Sequence, residues 1–225
     1  MSNVSVIISA YNEGPRIAEV LKAVKQTPLV HEVIVVDDGS IDNTADVAQQ
    51  YGVRVHRLSK NQGKGTAMRM GALDAVGDII LFLDADLRGL TPEHIDSLIR
   101  PVLTKHADMS IGIFKGGRVA TDLAQCISPN LSGQRCISRD FFLSAPLIDG
   151  SRSGVEIALT VHARACKLNI SIVPLDGATH PMKEEKIGVM HGILARARMY
   201  TDIAVTLVKY QLSTRVLKKS SVNTR

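Results

Sequence analysis

The strongest constraint on this chain is a series of short, wholly apolar segments, each stopping at a cluster of polar or acidic residues. Val4-Ser-Val-Ile-Ile-Ser9 gives way to Ala10-Tyr11-Asn12-Glu13-Gly14, Val33-Ile-Val-Val36 to Asp37-Asp38-Gly39-Ser40, and Ile79-Ile-Leu-Phe-Leu83 to Asp84-Ala85-Asp86. Such runs are shorter than a buried helix and lack polar alternation, so they read as strands covered on both faces. Between them Ile17, Val20, Leu21 and Val24 recur at helical spacing. Ala45, Val47 and Ala48 form another apolar helix face, with Asp42 or Asn43 as its cap. Val53 to Leu58 alternates as a third strand, and a helix is expected from near Gly63 to Ala75. The predicted class is therefore α/β, a mostly parallel central sheet with helices on both faces. In such sheets ligands bind beyond the carboxyl ends of the strands. The polar ends of the first, second and fourth strands thus locate one site.

The remainder continues the pattern. A helix is expected from Pro92 to Leu103, a strand near Met109 to Phe114, a helix around Glu156 to Cys166 and a strand from Leu168 to Leu175. A last helix, Ile187 to about Leu212, carries Met190, Ile193, Leu194, Ala197, Ile203, Ala204, Leu207 and Val208 on one stripe. No linker or repeat divides the 225 residues, so one domain is expected, with residues 1–185 as its body and 186–225 as a helix and basic tail of the same unit. No apolar run approaches the roughly 18 residues that span a bilayer, and no basic region precedes the first apolar stretch as in a secretory signal. Cys126, Cys136 and Cys166 lack CxxC spacing and are expected to be reduced, buried thiols, which points to the cytoplasm. The net charge of +5 is concentrated late: Arg196, Arg198, Lys209, Arg215, Lys218, Lys219 and Arg225 face a single acid, Asp202. Nucleic acid, an anionic membrane or plain solvation each accounts for that tail.

Asp84 and Asp86, at i and i+2 past a buried strand, can reach one cation. Hard carboxylates with open positions suit Mg²⁺ or Mn²⁺ bridging nucleotide phosphates, although an isolated DxD is also a solvated acidic turn. Asp38 can accept hydrogen bonds from a ribose or a base, or simply hold a turn with Gly39 and Ser40. Gly63-Lys64-Gly65 opens a helix, where glycines admit a ligand, the helix N-terminus favours anions and Lys64 adds a charge for phosphate. His180 follows the last strand and is either a ligand or structural. Glu156 opens an otherwise apolar helix, where an acid in the first turn is favourable.

Together these segments resemble glycosyltransferase family 2 and its GT-A relatives. Ser5-Val-Ile-Ile-Ser-Ala-Tyr-Asn-Glu13 is similar to the opening strand and uridine loop, Val35-Val-Asp-Asp-Gly-Ser40 to the second nucleotide segment, Asn61-Gln-Gly-Lys-Gly65 to the loop beside the donor, and Asp84-Ala-Asp86 to the DxD metal motif. The later half resembles glycosyltransferase family 81, the glucosyl-3-phosphoglycerate synthases. Gly116-Gly-Arg-Val119 is similar to their GGRVT stretch, Leu131-Ser-Gly-Gln134 to LGGE/LAGE and Gly154-Val-Glu-Ile157 to GVEIG. Departures are Ala120 for the Thr, Gln134 for the Glu and Pro181 for the Arg after the metal His.

The resemblance implies sugar transfer from a UDP-sugar with Mg²⁺ or Mn²⁺. It implies donor contacts at Ala10, Tyr11, Asn12, Glu13, Asp38, Gly63, Lys64, Asp84 and Ala85, and acceptor contacts at Gly117, Arg118, Ser132, Gly133 and Gln134. The cation would sit on Asp86 and His180, with Asp84 nearby, and Asp86 and Glu156 would carry catalysis, Glu156 as base in an inverting enzyme or as an orienting group in a retaining one. Expected partners are the donor and a small anionic or lipid-phosphate acceptor, with no nucleic acid. The apolar, basic tail leaves a homodimer or a weak contact with the inner face of the membrane open. A sugar nucleotidyltransferase would carry a longer Gly-rich loop after the first strand, and a non-catalytic nucleotide binder would not need the metal candidates.

Overall fold

The computed structural model describes residues 3–115, 132–146 and 154–180. In chain order these form β1 (Val4–Ala10), α1 (Gly14–Lys25), β2 (Glu32–Asp37), α2 (Thr44–Gln50), β3 (Arg54–Arg57), α3 (Lys64–Asp74), β4 (Ile79–Asp84), α4 (Pro92–Leu103), β5 (Met109–Lys115), β6 (Arg135–Ser138), α5 (Arg139–Ser144), α6 (Val155–Ala165) and β7 (Ile170–Asp176). The anticipated elements form within a few residues of their expected ends. β6 and α5 were not anticipated, because Arg135-Cys-Ile-Ser138 is too short to show a period and begins with a charge. The GGRV stretch at 116–119, Leu131 and the helix expected from Ile187 to Leu212 lie outside the described residues.

The sheet runs β3-β2-β1-β4-β6-β5-β7. β1 pairs in parallel with both β2 and β4, which sets Ala10 beside Asp37 and Ser9 beside Asp84. The polar ends of the three most apolar strands therefore lie in a row. β6 departs from the expected parallel pattern, running antiparallel to both β4 and β5. β5 and β7 are parallel.

Side chains alternate across the sheet, so each central strand feeds two cores. Val6, Ile8, Leu81 and Leu83 join Ile17 and Leu21 of α1 and Ile95 and Leu98 of α4 on one face. Ile7, Ile34, Ile80 and Phe82 join Met68 of α3, Phe142 of α5 and Leu159 of α6 on the other. Burying each large apolar side chain stabilises the fold by about 1.5–3 kcal/mol, which is why the five apolar residues in a row from Ile79 to Leu83 are accommodated here. Cys136 is buried as expected, whereas Cys166, at the end of α6, is exposed. No helix among the described residues is long and apolar enough to cross a membrane.

Candidate functional site

β1 and β4 are adjacent, but the chain leaves β1 toward β2 and returns later to β4. Crossovers depart in opposite directions there, and a crevice opens at the carboxyl ends of the two strands. A cleft of about 340 Å³ occupies it, lined by Ala10, Tyr11, Glu13, Asp38, Gly63, Lys64, Asp84, Ala85, Asp86 and His180. Ser9, Asn61 and Ala67 also line it and were not singled out individually from the sequence.

The first wall is a pair of interlocked loops. Asn12 has φ +56°, a left-handed conformation that Asn tolerates better than most residues. Its amide donates to Ser40 Oγ at 2.9 Å, and its Oδ1 accepts from the Ile41 amide at 3.0 Å. Glu13 donates its amide to Thr44 Oγ1 and its carboxylate holds Arg16 at 2.8 Å. Asn43 sits at the N-cap of α2 without a side-chain cap bond. Asp42 instead accepts from the amides of Thr44 and Gly14. Burial would raise the Asp42 carboxyl, but hydrogen bonds from Thr44 and Gly14 hold it below the usual carboxylate range. Tyr11 remains 46% exposed at the cleft edge, an open aromatic face.

Asp38 does something the sequence did not reveal. It is buried, and its two oxygens accept the amides of Gln62 at 2.7 Å and Gly63 at 2.9 Å. The carboxylate thus shapes the loop that launches α3. Gly63 takes φ +98° there, open to glycine and strained for other residues.

Lys64 follows at the first position of α3, and its ammonium lies 2.6 Å from both Asp84 Oδ1 and Glu156 Oε1. Gln134 Nε2 donates to the other Asp84 oxygen at 2.7 Å, and Ser132 Oγ shares its one proton between the Gly112 carbonyl at 2.5 Å and Gln134 Oε1 at 2.9 Å. Because β6 runs antiparallel to β4, its leading residues lie over the carboxyl end of β4. A Cβ on Gly133 would fall 2.6 Å from both Asp84 oxygens and from Lys64 Nζ, so the chain passes directly over that ion pair. Burial alone would raise the Asp84 carboxyl. The charge of Lys64, the bonds from Lys64 and Gln134 and the charge of His180 outweigh it and hold Asp84 low. Burial would likewise depress Lys64, but Asp84 and Glu156 keep its ammonium above the ordinary lysine range.

Asp86 and His180 line the same cleft. An isolated bridge, with Arg88 and Thr179 exchanging amide bonds at 2.9 and 3.0 Å, draws the segment before His180 onto the loop after β4. The His180 ring packs against Phe114 at 5.3 Å between centroids. A carboxylate and an imidazole facing an open cleft form a donor set that a divalent cation could share with phosphate oxygens. Asp84, the third residue expected at the cation, is engaged by Lys64 and Gln134. Among the described residues no three His, Cys, Asp or Glu side chains form a metal-holding group. Of the residues expected at the acceptor, Ser132, Gly133 and Gln134 come to Asp84, while Gly117 and Arg118 lie outside the described residues.

Comparison with known proteins agrees with this geometry. The family model for glycosyl transferase family 2 matches residues 5–141. The chain belongs to that family. Glucosyl-3-phosphoglycerate synthase of Mycobacterium tuberculosis is 30% identical over 197 residues, covering 70% of this chain and 60% of that protein. Dolichol-phosphate mannosyltransferase of Pyrococcus furiosus is 38% identical over 124 residues, covering 52% and 35%. The crystal structure of the mycobacterial synthase with Mn²⁺, UDP and glucosyl-3-phosphoglycerate superposes with a TM-score of 0.77 at 28% identity, covering 93% of this chain and 80% of that one. The fold is therefore GT-A. The chain spans between 26% and 64% of the length of the curated relatives it matches.

Proposed function

We propose that the chain transfers a hexosyl group, glucose first, from a UDP-sugar to an anionic acceptor with the help of Mg²⁺ or Mn²⁺. The observation that carries this reading is the placement of Asp84-Ala-Asp86 at the end of β4, in one cleft with Tyr11 and Asp38. Tyr11 and the 10–13 loop offer an open aromatic face and polar groups to a nucleoside. Asp86 and His180 would hold the cation beside the diphosphate. When bound, the cation neutralises charge on the departing diphosphate. Lys64 stands at the N-terminus of α3, where its ammonium and the helix end favour the same anion. Glu156, tied to Lys64, would orient the donor or the acceptor hydroxyl. Titration with UDP by calorimetry tests the reading: binding should need Mn²⁺, fail with EDTA, and fail equally in Asp86→Ala. Unchanged UDP affinity in both samples would remove it.

For the acceptor, the mycobacterial relative was crystallised with phosphoglyceric acid, and the Pyrococcus relative is named for dolichol phosphate. Their common chemistry is a phosphate, which suits a guanidinium fork. Arg118 is therefore proposed to bind an anionic acceptor. Transfer from UDP-glucose to phosphoglycerate and to a polyprenyl phosphate in anionic vesicles distinguishes the two sources. Arg118→Lys should raise the acceptor KM and spare donor hydrolysis.

A further inference from the structure

Arg135 is the largest fully buried side chain among the described residues, yet it carries a charge, as the first residue of β6, between Phe82 of β4 and Ile111 of β5. Burial pulls its pKa down to about 10, with Glu156 and Asp84 drawing it back up, so it stays cationic near neutral pH. A buried guanidinium needs partners, and these are specific. Nε donates to the Ser132 carbonyl at 2.7 Å, and Nη1 donates to Thr160 Oγ1 at 2.6 Å. Thr160 Oγ1 in turn donates to the Glu156 carbonyl at 2.8 Å, one turn earlier on α6.

These bonds join those in the cleft into a closed ring. From Arg135 it passes through Thr160 to the backbone of Glu156, and from the Glu156 carboxylate to Lys64. It continues to Asp84, Gln134 and Ser132, and returns to Arg135 through the Ser132 carbonyl. Four elements meet in it: the start of α3, the end of β4, the residues leading into β6, and the first turns of α6. Its charges balance, Arg135 and Lys64 against Asp84 and Glu156.

We propose that Arg135 is a positioning residue for the transfer reaction, closing a hydrogen-bonded ring that fixes Glu156 and Asp84 around Lys64 in register with the donor. This rests on the donor reading above. Arg135 itself touches neither donor nor acceptor; it acts through Ser132 and Thr160. A residue that served only packing would be replaceable by an apolar side chain of similar volume. Here such a replacement leaves the ring with one excess negative charge and two orphaned acceptors.

The test uses the full chain as wild type, Arg135→Met, Arg135→Lys and Thr160→Val. UDP·Mn²⁺ affinity is measured by calorimetry, and kcat and KM by hydrolysis of UDP-glucose in Mn²⁺. Arg135→Met should lower kcat by about 100-fold, the scale of a misplaced reacting group. Thr160→Val removes the two bonds made by one hydroxyl without removing charge and should lower kcat by roughly 3- to 10-fold. Arg135→Lys should fall between the two, while KM and UDP·Mn²⁺ affinity stay within about threefold throughout, as expected when only transition-state geometry is lost. If Arg135→Met fails to fold, the other two variants decide. Wild-type kcat in both overturns the positioning role while leaving the donor reading intact. A wild-type protein that binds no UDP·Mn²⁺ removes the donor reading, and this role with it.

Discussion

Replacing Lys64 by Met removes the one cation lodged between Asp84 and Glu156. Each carboxylate oxygen lies 2.6 Å from Nζ, so the two are within roughly 5 Å of each other. The Lys64 and Asp84 side chains keep 26% and 29% exposure, which calls for an effective dielectric of ~20 rather than that of a dry interior. Two unit charges at that separation then repel by about 3 kcal/mol. The penalty depends on pH, and its sign follows from Asp84. In the wild type its carboxyl is held low, so its stabilisation is present above the unfolded value of ~3.9 and is lost as pH falls through the lower folded value. Without Lys64, burial, the largest influence, raises the carboxyl instead, and stability declines as pH rises through that raised value. Urea unfolding of both proteins at pH 4 and pH 7.5 reads the difference. The variant should lie below the wild type at both pH values, because the wild-type bridge is still present at pH 4, and the gap should widen by about 3 kcal/mol at pH 7.5, a further midpoint shift on the order of 1 M. Equal midpoints at pH 7.5, or the same gap at both pH values, would refute the bridged-carboxylate account.

Three further outcomes are expected. Gly133→Ala places a methyl 2.6 Å from the Asp84 oxygens and Lys64 Nζ, so it should disrupt that pair and lower UDP-glucose turnover at least ~10-fold; wild-type kinetics would contradict the close passage. Asp38→Asn can accept only one of the two loop amides and turns an NH₂ toward the other, so calorimetric UDP·Mn²⁺ affinity should drop about 10-fold, the loss of one charge-assisted bond. Burial pushes the Cys136 thiol well above its ordinary range, so peptide mapping after iodoacetamide treatment of the folded protein should find Cys166 alkylated and Cys136 intact.

Much of the fold was legible because it rests on local pattern. Val33-Ile-Val-Val36 and Ile79 to Leu83 have no polar face to give to water, so they enter doubly covered strands, and their polar ends form one edge. The cleft followed from this: Ala10, Tyr11, Glu13, Asp38, Gly63, Lys64, Asp84, Ala85, Asp86 and His180 all line it. Asn12 was also expected there, and its side chain is engaged with the Ile41 amide between the two loops.

The sequence by itself thus determined the strand bodies, the loops at their ends and the family to which the chain belongs. Which partners those loop residues take was decided only in three dimensions. Lys64 pairs with Glu156 across 92 residues, a distance over which no periodicity carries information. Asp38 could have faced a ribose or a turn, and it became the clamp for Gln62 and Gly63 only because β2 and the start of α3 converge. Ser132, Gly133 and Gln134 come over Asp84 because β6 enters antiparallel, and the same insertion buries Arg135. Strand order and direction are chosen by which long-range packing closes both cores. An apolar run identifies a strand, but it does not say which neighbour that strand will find or which charges will meet above its end.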